Sequence, residues 1–174
     1  VAAVIALVSI GNGVKQDIQN SISSLGSNLL MVMPGAPRTP GVRPSAGSMK
    51  SLKVSDYEAI SKLDGVKAAS PMTNGSYVVI YQNKNWTTSV SGVSYNYLDV
   101  NNWSMKSGRF LSEKNVQNRE RVAVVGKTVV KNLFGDEDPV GAEIRVKNIP
   151  FRIIGVLNSK GSGAMGNDQD DMVI

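Results

Sequence analysis

The chain has 174 residues, with 19 Lys and Arg against 14 Asp and Glu, which gives a formal net charge of +5. It contains no His and no Cys. Ser-His-Asp and Cys-His nucleophile systems are therefore excluded within this chain, as are zinc and haem sites built from imidazole or thiolate. The basic residues are scattered singly and form no Lys- and Arg-rich block that could neutralise a row of phosphates. We therefore expect no nucleic-acid partner.

The first segment is an apolar run over residues 1–10, in which Ser9 is the only polar side chain. Ten residues of helix span about 15 Å, which is half of a hydrocarbon core. After Gly11 and Gly13 the pattern becomes amphipathic. Its apolar residues recur at helical spacing, at Val14, Ile18, Ile22 and Leu25. Two interpretations stay open: the outer end of a transmembrane helix that continues as a stalk, or a buried helix followed by a surface helix.

The next segments predict one strand, one loop, one helix and a group of strands. Residues 28–33 predict a short apolar strand, and the Pro- and Gly-rich stretch 35–50 predicts a mobile loop. A capping box formed by Ser55 and Glu58 predicts a helix that ends before Gly65. Further strands are predicted at residues 66–69, 77–82 and 86–93, the last two joined by a tight turn at residues 83–85.

The second half predicts a strand at 122–125, a helix at 127–134, and a hairpin of residues 142–146 with 150–157. In this hairpin Ile144 and Val146 alternate with the outward-facing Arg145, which is typical of a half-solvated antiparallel pair. Because the strands come in antiparallel runs without βαβ alternation, we expect an α+β fold and no Rossmann-type parallel sheet.

Two polar segments are candidate binding sites. Residues 161–166 match G-x-G-x-x-G, but an acidic stretch follows where a pyrophosphate needs a helix N-terminus, so a flexible connector is favoured. Asp168, Asp170 and Asp171 offer oxygen ligands, as do residues 136–138, without the pattern of a calcium loop. We therefore expect solvated acidic turns, no metal and no cofactor in this chain. The aromatic residues Trp103, Phe110 and Phe134 favour core packing over base stacking.

Six strings occur together in a fixed order. They are SLGSNLL at residues 24–30, NYLDV at 96–100, GRF at 108–110, LFGDEDPVG at 133–141, FRIIGVL at 151–157 and DQDD at 168–171. As an ordered set they resemble the extracytoplasmic core domain of MacB-type ABC transporter permeases. The resemblance runs along the whole chain and favours the transmembrane interpretation of residues 1–10.

The resemblance implies a two-lobed α+β domain on the periplasmic or extracellular side of the cell membrane. Residues 1–26 would be the end of a transmembrane helix and a stalk helix. Residues 27–93, with 167–174 returning to them, would form a porter-like α/β lobe, and residues 94–166 an inserted, mostly antiparallel β lobe. The family also implies a permease homodimer, a cytoplasmic ATPase domain, an adaptor protein and, in Gram-negative cells, an outer-membrane channel.

The resemblance implies a non-catalytic domain that couples ATP hydrolysis to export of a drug, peptide or toxin. Gly11 and Gly13 are the expected bend at the membrane boundary, and Val14, Ile18 and Ile22 belong to the stalk that conveys motion. Alternatives are a lipoprotein-releasing or cell-wall-hydrolase-regulating permease of related layout and, from another class, a soluble hydrolase that uses carboxylates.

Overall fold

The computed structural model of the protein describes residues 29–34, 52–163 and 167–174. Within these ranges the helices are α1 (Val54–Ile60), α2 (Tyr97–Val100), α3 (Glu113–Gln117) and α4 (Lys127–Leu133). The strands are β1 (Met72–Tyr81), β2 (Lys84–Val93), β3 (Met105–Gly108), β4 (Val122–Val125), β5 (Glu143–Val146), β6 (Ile149–Leu157) and β7 (Met172–Val173). None of these helices has the length and apolar character needed to cross a bilayer.

The seven strands form one sheet in the order β3-β6-β4-β7-β2-β1-β5, and β5 also pairs with β6. This last pairing closes six of the strands into a barrel-like ring. Strand β6 makes the closure possible because it is nine residues long. One of its edges takes β4, while the other takes β5 along its first half and β3 along its second half.

The sheet is mixed: most of its strand pairs are antiparallel, in agreement with the expected mostly antiparallel arrangement, but two pairs are parallel. Strand β4 pairs in parallel with β6, and β2 pairs in parallel with β7. The first pair arises because α4 carries the chain back across the sheet after β4. Strand β5 is inserted between α4 and β6, and it hides the strand-helix-strand alternation that identifies a parallel crossover in a sequence. The domain therefore has a mixed α/β fold.

Apolar side chains pack on both faces of the sheet. Strand β4 shows the alternation, because Ala123 and Val125 face the inner side while Val124 faces the outer side. The buried inner cluster consists of Val79, Ala123, Val125, Val129, Leu133, Phe134, Ile144, Val146, Ile153, Val156 and Val173. The buried outer cluster consists of Tyr97, Val124, Ile154, Leu157 and Ile174, with Trp103 and Phe110 packed against it. The predicted core roles of Trp103, Phe110 and Phe134 are therefore confirmed.

Local patterns predicted the second half of the chain well. Strand β4 and the helix that follows it lie where the sequence placed them, and Gly135 comes just after α4 with a φ of 68°. Strands β5 and β6 form the predicted hairpin, in which Ile144 faces Phe151. Its two turn residues, Lys147 and Asn148, both adopt positive φ values, as tight hairpin turns require.

Three predictions in the first half were wrong in part or in whole. The β1–β2 hairpin forms, but its turn is Gln82 and Asn83, since Tyr81 already pairs with Lys84. Residues 66–69 form no strand. Residues 29–33 also form no strand, and they are exposed. A strand needs a partner strand, and none of the strands in the described ranges pairs with these residues. Their apolar character alone did not indicate such a partner.

Helix α1 begins two residues earlier than the predicted capping box implies. The carboxylate of Asp56 accepts a hydrogen bond of 2.7 Å from the backbone N–H of Lys53, which is the N-cap residue instead of Ser55. A carboxylate three residues after the N-cap satisfies one of the free donors at the helix start as well as a Glu does. Helix α1 has no buried residue, and the nearby Leu63 is 60% exposed.

Candidate functional site

The predicted coupling residues all lie outside the described residues. They are Gly11, Gly13, Val14, Ile18 and Ile22. The candidate site that the structure does describe is the connection from β6 to β7, which holds both the glycine motif and the acidic stretch. We call residues 158–161 and 168–171 of this connection the brace.

Asp170 lies at the centre of the brace and is only 4% exposed. Its carboxylate accepts hydrogen bonds from the hydroxyl of Ser159, from the backbone N–H of Lys160 at 2.8 Å and from the backbone N–H of Gly161 at 3.2 Å. Donors from one end of the connection thus hold the carboxylate at the other end. The expectation of a solvated acidic turn was wrong for Asp170, since a buried carboxylate with three protein donors is a structural group.

The two neighbouring carboxylates bind other parts of the fold. Asp168 accepts a hydrogen bond of 2.6 Å from the hydroxyl of Thr128 at the start of α4. Asp171 accepts one of 2.8 Å from the indole N–H of Trp86 on β2. Asp168 therefore attaches the brace to α4, and Asp171 attaches it to β2. Asp170 joins the two ends of the brace to each other.

Lys160 and Trp103 attach the brace to the segment between α2 and β3. The Lys160 ammonium donates a hydrogen bond of 2.7 Å to the carbonyl of Asn101 and lies 4.7 Å from the centre of the Trp103 ring. The Trp103 indole N–H donates a bond of 2.7 Å to the carbonyl of Asn158. Burial lowers the pKa of Lys160. The Lys160 and Trp103 side chains thus make a cation–π interaction with each other, and each of them also donates a hydrogen bond to a backbone carbonyl.

Gly126, the residue before α4, lets the brace approach the helix closely. Its N–H donates a bond of 2.9 Å to the carbonyl of Met172, and the Thr128 N–H donates one of 3.2 Å to the carbonyl of Asp170. A Cβ atom at Gly126 would overlap the carbonyl oxygen of Asp170. Any other residue there would displace the brace from the helix.

The described part of the glycine motif consists of residues 161–163. Gly161 has a φ of 74°, and Ser162 forms a β-bridge with Asp168. Residues 164–166 of the motif lie outside the described residues. The described part of the motif leads into this bridge, and the interpretation of the whole motif as a flexible connector stays a prediction.

The polar side chains of the brace bind other segments of the chain. Within the described ranges no group of three His, Cys, Asp or Glu side chains could hold a metal. The oxygens of Asp168, Asp170 and Asp171 are instead engaged by hydroxyl, indole and amide donors of the protein. By contrast, residues 136–138 are exposed, as expected for a solvated acidic turn.

Sequence reasoning missed the role of Asp170 because its donors lie about ten residues upstream, across a glycine-rich segment. The local signal was the acidic run itself, which occurs equally in solvated turns. A second signal was the Gly and Thr around the start of α4, whose significance depends on which loop packs against them. The fold and the brace together define a mixed α/β domain whose buried polar clusters hold chain segments to one another.

The comparison with known families gives this domain its identity. Residues 1–174 match the family described as the MacB-like periplasmic core domain, and the chain belongs to that family. The resemblance inferred from the six strings is thereby confirmed.

Relatives support the same conclusion. The chain is 43% identical, over 100% of its length, to the macrolide export ATP-binding/permease protein MacB of Rhodospirillum rubrum, of which it covers 26%. It is 40% identical, again over 100% of its length, to the protein of the same name from Bdellovibrio bacteriovorus, of which it covers 27%. The chain thus spans about a quarter of the length of these relatives.

The fold of this chain resembles those of solved structures. The periplasmic region of MacB from Actinobacillus actinomycetemcomitans matches with a TM-score of 0.68 at 27% identity, over 87% of this chain and 66% of that one. The extracellular domain of the noncanonic ABC-type transporter YknZ from Gram-positive bacteria matches with a TM-score of 0.59 at 21% identity, over 68% of this chain and 59% of that one. The second match concerns the fold alone.

Proposed function

We propose that this domain belongs to an export permease and conveys ATP-driven movement of the membrane helices to the outside of the cell. The observation that carries the proposal is the match of the whole chain to the MacB-like periplasmic core domain. The names of its relatives, which combine macrolide export with ATP binding and a permease, support an export role over the lipoprotein-releasing and cell-wall alternatives.

The proposed assembly places the chain on the extracytoplasmic face of the cell membrane. Residues 1–26 would form the end of a transmembrane helix and a stalk helix. Residues 1–10 would be the part within the membrane. The permease would act as a homodimer with a cytoplasmic ATPase domain, an adaptor protein and, where an outer membrane exists, a channel in it. This domain itself would use no cofactor and catalyse no reaction.

The proposed division into two lobes is best drawn in front of β1. A boundary at residues 93 and 94 would cut the sheet, because β1 pairs with β5 across it. Helix α1 and residues 29–34, by contrast, contribute nothing to the buried core. We therefore assign the sheet to one lobe, and α1 with residues 29–34 to the porter-like lobe.

The brace supports a mechanical role for the sheet lobe. A domain that conveys displacement has to move as one body, and the brace fixes the connection between β6 and β7 to α4, β2 and the α2–β3 segment. The centre of the brace is the buried Asp170 with its three hydrogen-bond donors, and buried polar groups that are fully satisfied make a structure rigid. Force applied at one element would therefore reach the others with little loss.

We expect the double substitution Gly11→Ala and Gly13→Ala to reduce ATP-dependent macrolide export by about fivefold or more, the lower end of typical coupling effects. Alanine removes the conformational freedom of a glycine bend at the proposed membrane boundary. The measurement is export by the full-length protein in cells, together with its ATPase rate and a far-UV circular dichroism spectrum.

The matched control is Gly41→Ala with Gly47→Ala, the same chemical change within the predicted Pro- and Gly-rich loop. This control should leave export unchanged. Unchanged export by the Gly11 and Gly13 variant would contradict the proposed coupling.

A further inference from the structure

Strands β1 and β5 close the six-strand ring along a short boundary, which we call the seam. Among the described residues, two residue pairs form it, Val79 with Val146 and Ile80 with Arg145. By comparison, ten pairs join β1 to β2, and four join β5 to β6. The seam is short because the chain turns back toward β6 at residues 147–148, while β1 continues past this turn. The length of the seam is therefore set within the sheet, by the β5–β6 turn.

The side-chain contacts that hold β1 on this side are aromatic. The rings of Tyr81 on β1 and Phe134, just after α4, have centroids 4.1 Å apart. The Lys147 ammonium lies 4.3 Å from the centre of the Tyr77 ring. Within the described ranges, no side-chain hydrogen bond or ion pair joins β1 to β5. A cation–π contact near the surface is weaker than a charge-assisted hydrogen bond in a part-buried position.

The seam is packed on one face only. Its inner residues Val79 and Val146 are buried in the inner cluster. On its outer face lies a hollow of about 270 Å³, lined by residues of the two strands and of the β1–β2 turn: Ile80, Gln82, Glu143 and Arg145. A strand pair that is covered on one face lacks many of the contacts that stabilise a strand pair covered on both.

The other strand of the β1–β2 hairpin is held by a polar contact. The indole N–H of Trp86 on β2 donates its 2.8 Å hydrogen bond to Asp171 of the brace. Trp86 lies directly opposite Val79 in the hairpin. At this level a charge-assisted hydrogen bond fixes β2, whereas two residue pairs and packing hold β1. The hairpin is therefore attached more strongly through β2 than through β1.

We propose that the ring opens at the seam, by a swing of the β1–β2 hairpin about β2. The ten residue pairs between β1 and β2 keep the hairpin intact during this movement, and the contact of Trp86 with Asp171 is its pivot. Opening breaks two residue pairs and leaves the rest of the sheet in place, so it needs less free energy than unfolding of the domain. It exposes Val79 and Val146, which belong to the inner cluster.

The seam is a better opening point than the other short pairings of the ring. Strand β7 pairs with β2 at two positions and with β4 at one. The brace next to β7 reinforces these pairings through Thr128 and Trp86. The proposal goes beyond the proposed function and does not depend on it, since the seam can open whether or not the protein exports macrolides.

Thiol labelling tests the proposal in the full-length protein, in membranes, with any native cysteines replaced. Val79→Cys places a thiol on the inner side of the seam, and the matched control Val125→Cys places one in β4. Both valines are fully buried, so a maleimide reaches either thiol only when the surrounding structure opens. We expect Val79→Cys to be labelled at least about tenfold faster, because local opening occurs more often than unfolding of the domain.

The urea dependence of labelling distinguishes local opening from unfolding. A local opening exposes little surface, so low urea concentrations should leave the labelling rate of Val79→Cys almost unchanged. The same concentrations should accelerate labelling of Val125→Cys. Equal rates for the two thiols, or an equally steep dependence on urea, would overturn the proposal.

Lys147→Gln removes the cation–π contact and should raise the labelling rate of Val79→Cys about threefold. The matched control is Lys84→Gln, the same change at an exposed lysine of β2 in the same hairpin. This control should leave the rate unchanged. An equal effect of the two substitutions would count against opening at the seam.

Hydrogen exchange of the unsubstituted full-length protein gives a result that requires no variant to fold. Consecutive amides of a strand point to opposite sides, so one of the N–H groups of Val79 and Ile80 points toward β2 and the other toward β5. We expect the amide directed toward β5 to exchange at least about tenfold faster than its neighbour. Exchange of both amides as slowly as those of residues 124–125 would contradict the proposal.

Discussion

Replacing Asp170 by Asn is expected to lower the free energy of unfolding of this domain by about 2–3 kcal/mol, because buried donors that lose a charged acceptor each cost about 1–3 kcal/mol. The Asp170 side chain is 4% exposed and accepts bonds from Ser159, Lys160 and Gly161. The Asn amide can accept with one oxygen only, and its NH₂ group would face a donor. Urea unfolding followed by far-UV circular dichroism measures the change.

Asp171→Asn is the matched control, with the same chemical change one residue away. Within the part of the chain that the structure describes, Asp171 accepts one bond, from Trp86, which the oxygen of an Asn can also accept. We expect a loss below about 1 kcal/mol for this control. Equal effects of the two substitutions would show that Asp170 holds the brace no more strongly than an ordinary polar contact.

Leu133→Ala is expected to destabilise the domain by about 2–5 kcal/mol, the range for truncating a buried leucine. Leu133 ends α4, is 0% exposed and belongs to the inner cluster with Val79 and Ile144. Its truncation would leave a cavity between the helix and the sheet. The change is measured by urea unfolding under the same conditions.

The control for this prediction is Leu63→Ala, the same truncation at a side chain that is 60% exposed. Surface changes of this kind are usually within about 0.5 kcal/mol of neutral. A large effect at Leu63 would show that the segment after α1 packs against the rest of the domain in solution. A small effect at Leu133 would contradict the assignment of α4 to the core.

The parts of the fold that the sequence predicted are those encoded by local signals. The β5–β6 hairpin follows from the alternation of Ile144 and Val146 and from a two-residue turn, all within a short stretch of chain. Helix α4 follows from its apolar stripe and the glycine after it. The parallel pair of β4 with β6 could not be predicted this way, because it joins residues about 30 apart and β5 interrupts the pattern.

The candidate site shows the same division between local and distant information. The acidic stretch was recognised, but the burial of Asp170 depends on the donor at Ser159, and the attachment of Asp168 depends on Thr128, which lies 40 residues away. Apolar character was likewise visible at residues 29–33, yet these residues are exposed among the described ranges. Hydrophobicity indicates that a segment favours burial, but the three-dimensional arrangement determines which surface, if any, covers it.

The proposed function requires that this domain lies outside the cytoplasm. The test is to label Asn83→Cys, in the exposed turn of the β1–β2 hairpin, with a maleimide that cannot cross the cytoplasmic membrane. The full-length protein is used with other cysteines replaced, in cells whose cytoplasmic membrane is intact, and Val125→Cys, fully buried in the sheet, serves as the control. We predict that Asn83→Cys is labelled in these cells, whereas Val125→Cys is labelled only after denaturation. Labelling of Asn83→Cys only after the cells are lysed would contradict the account.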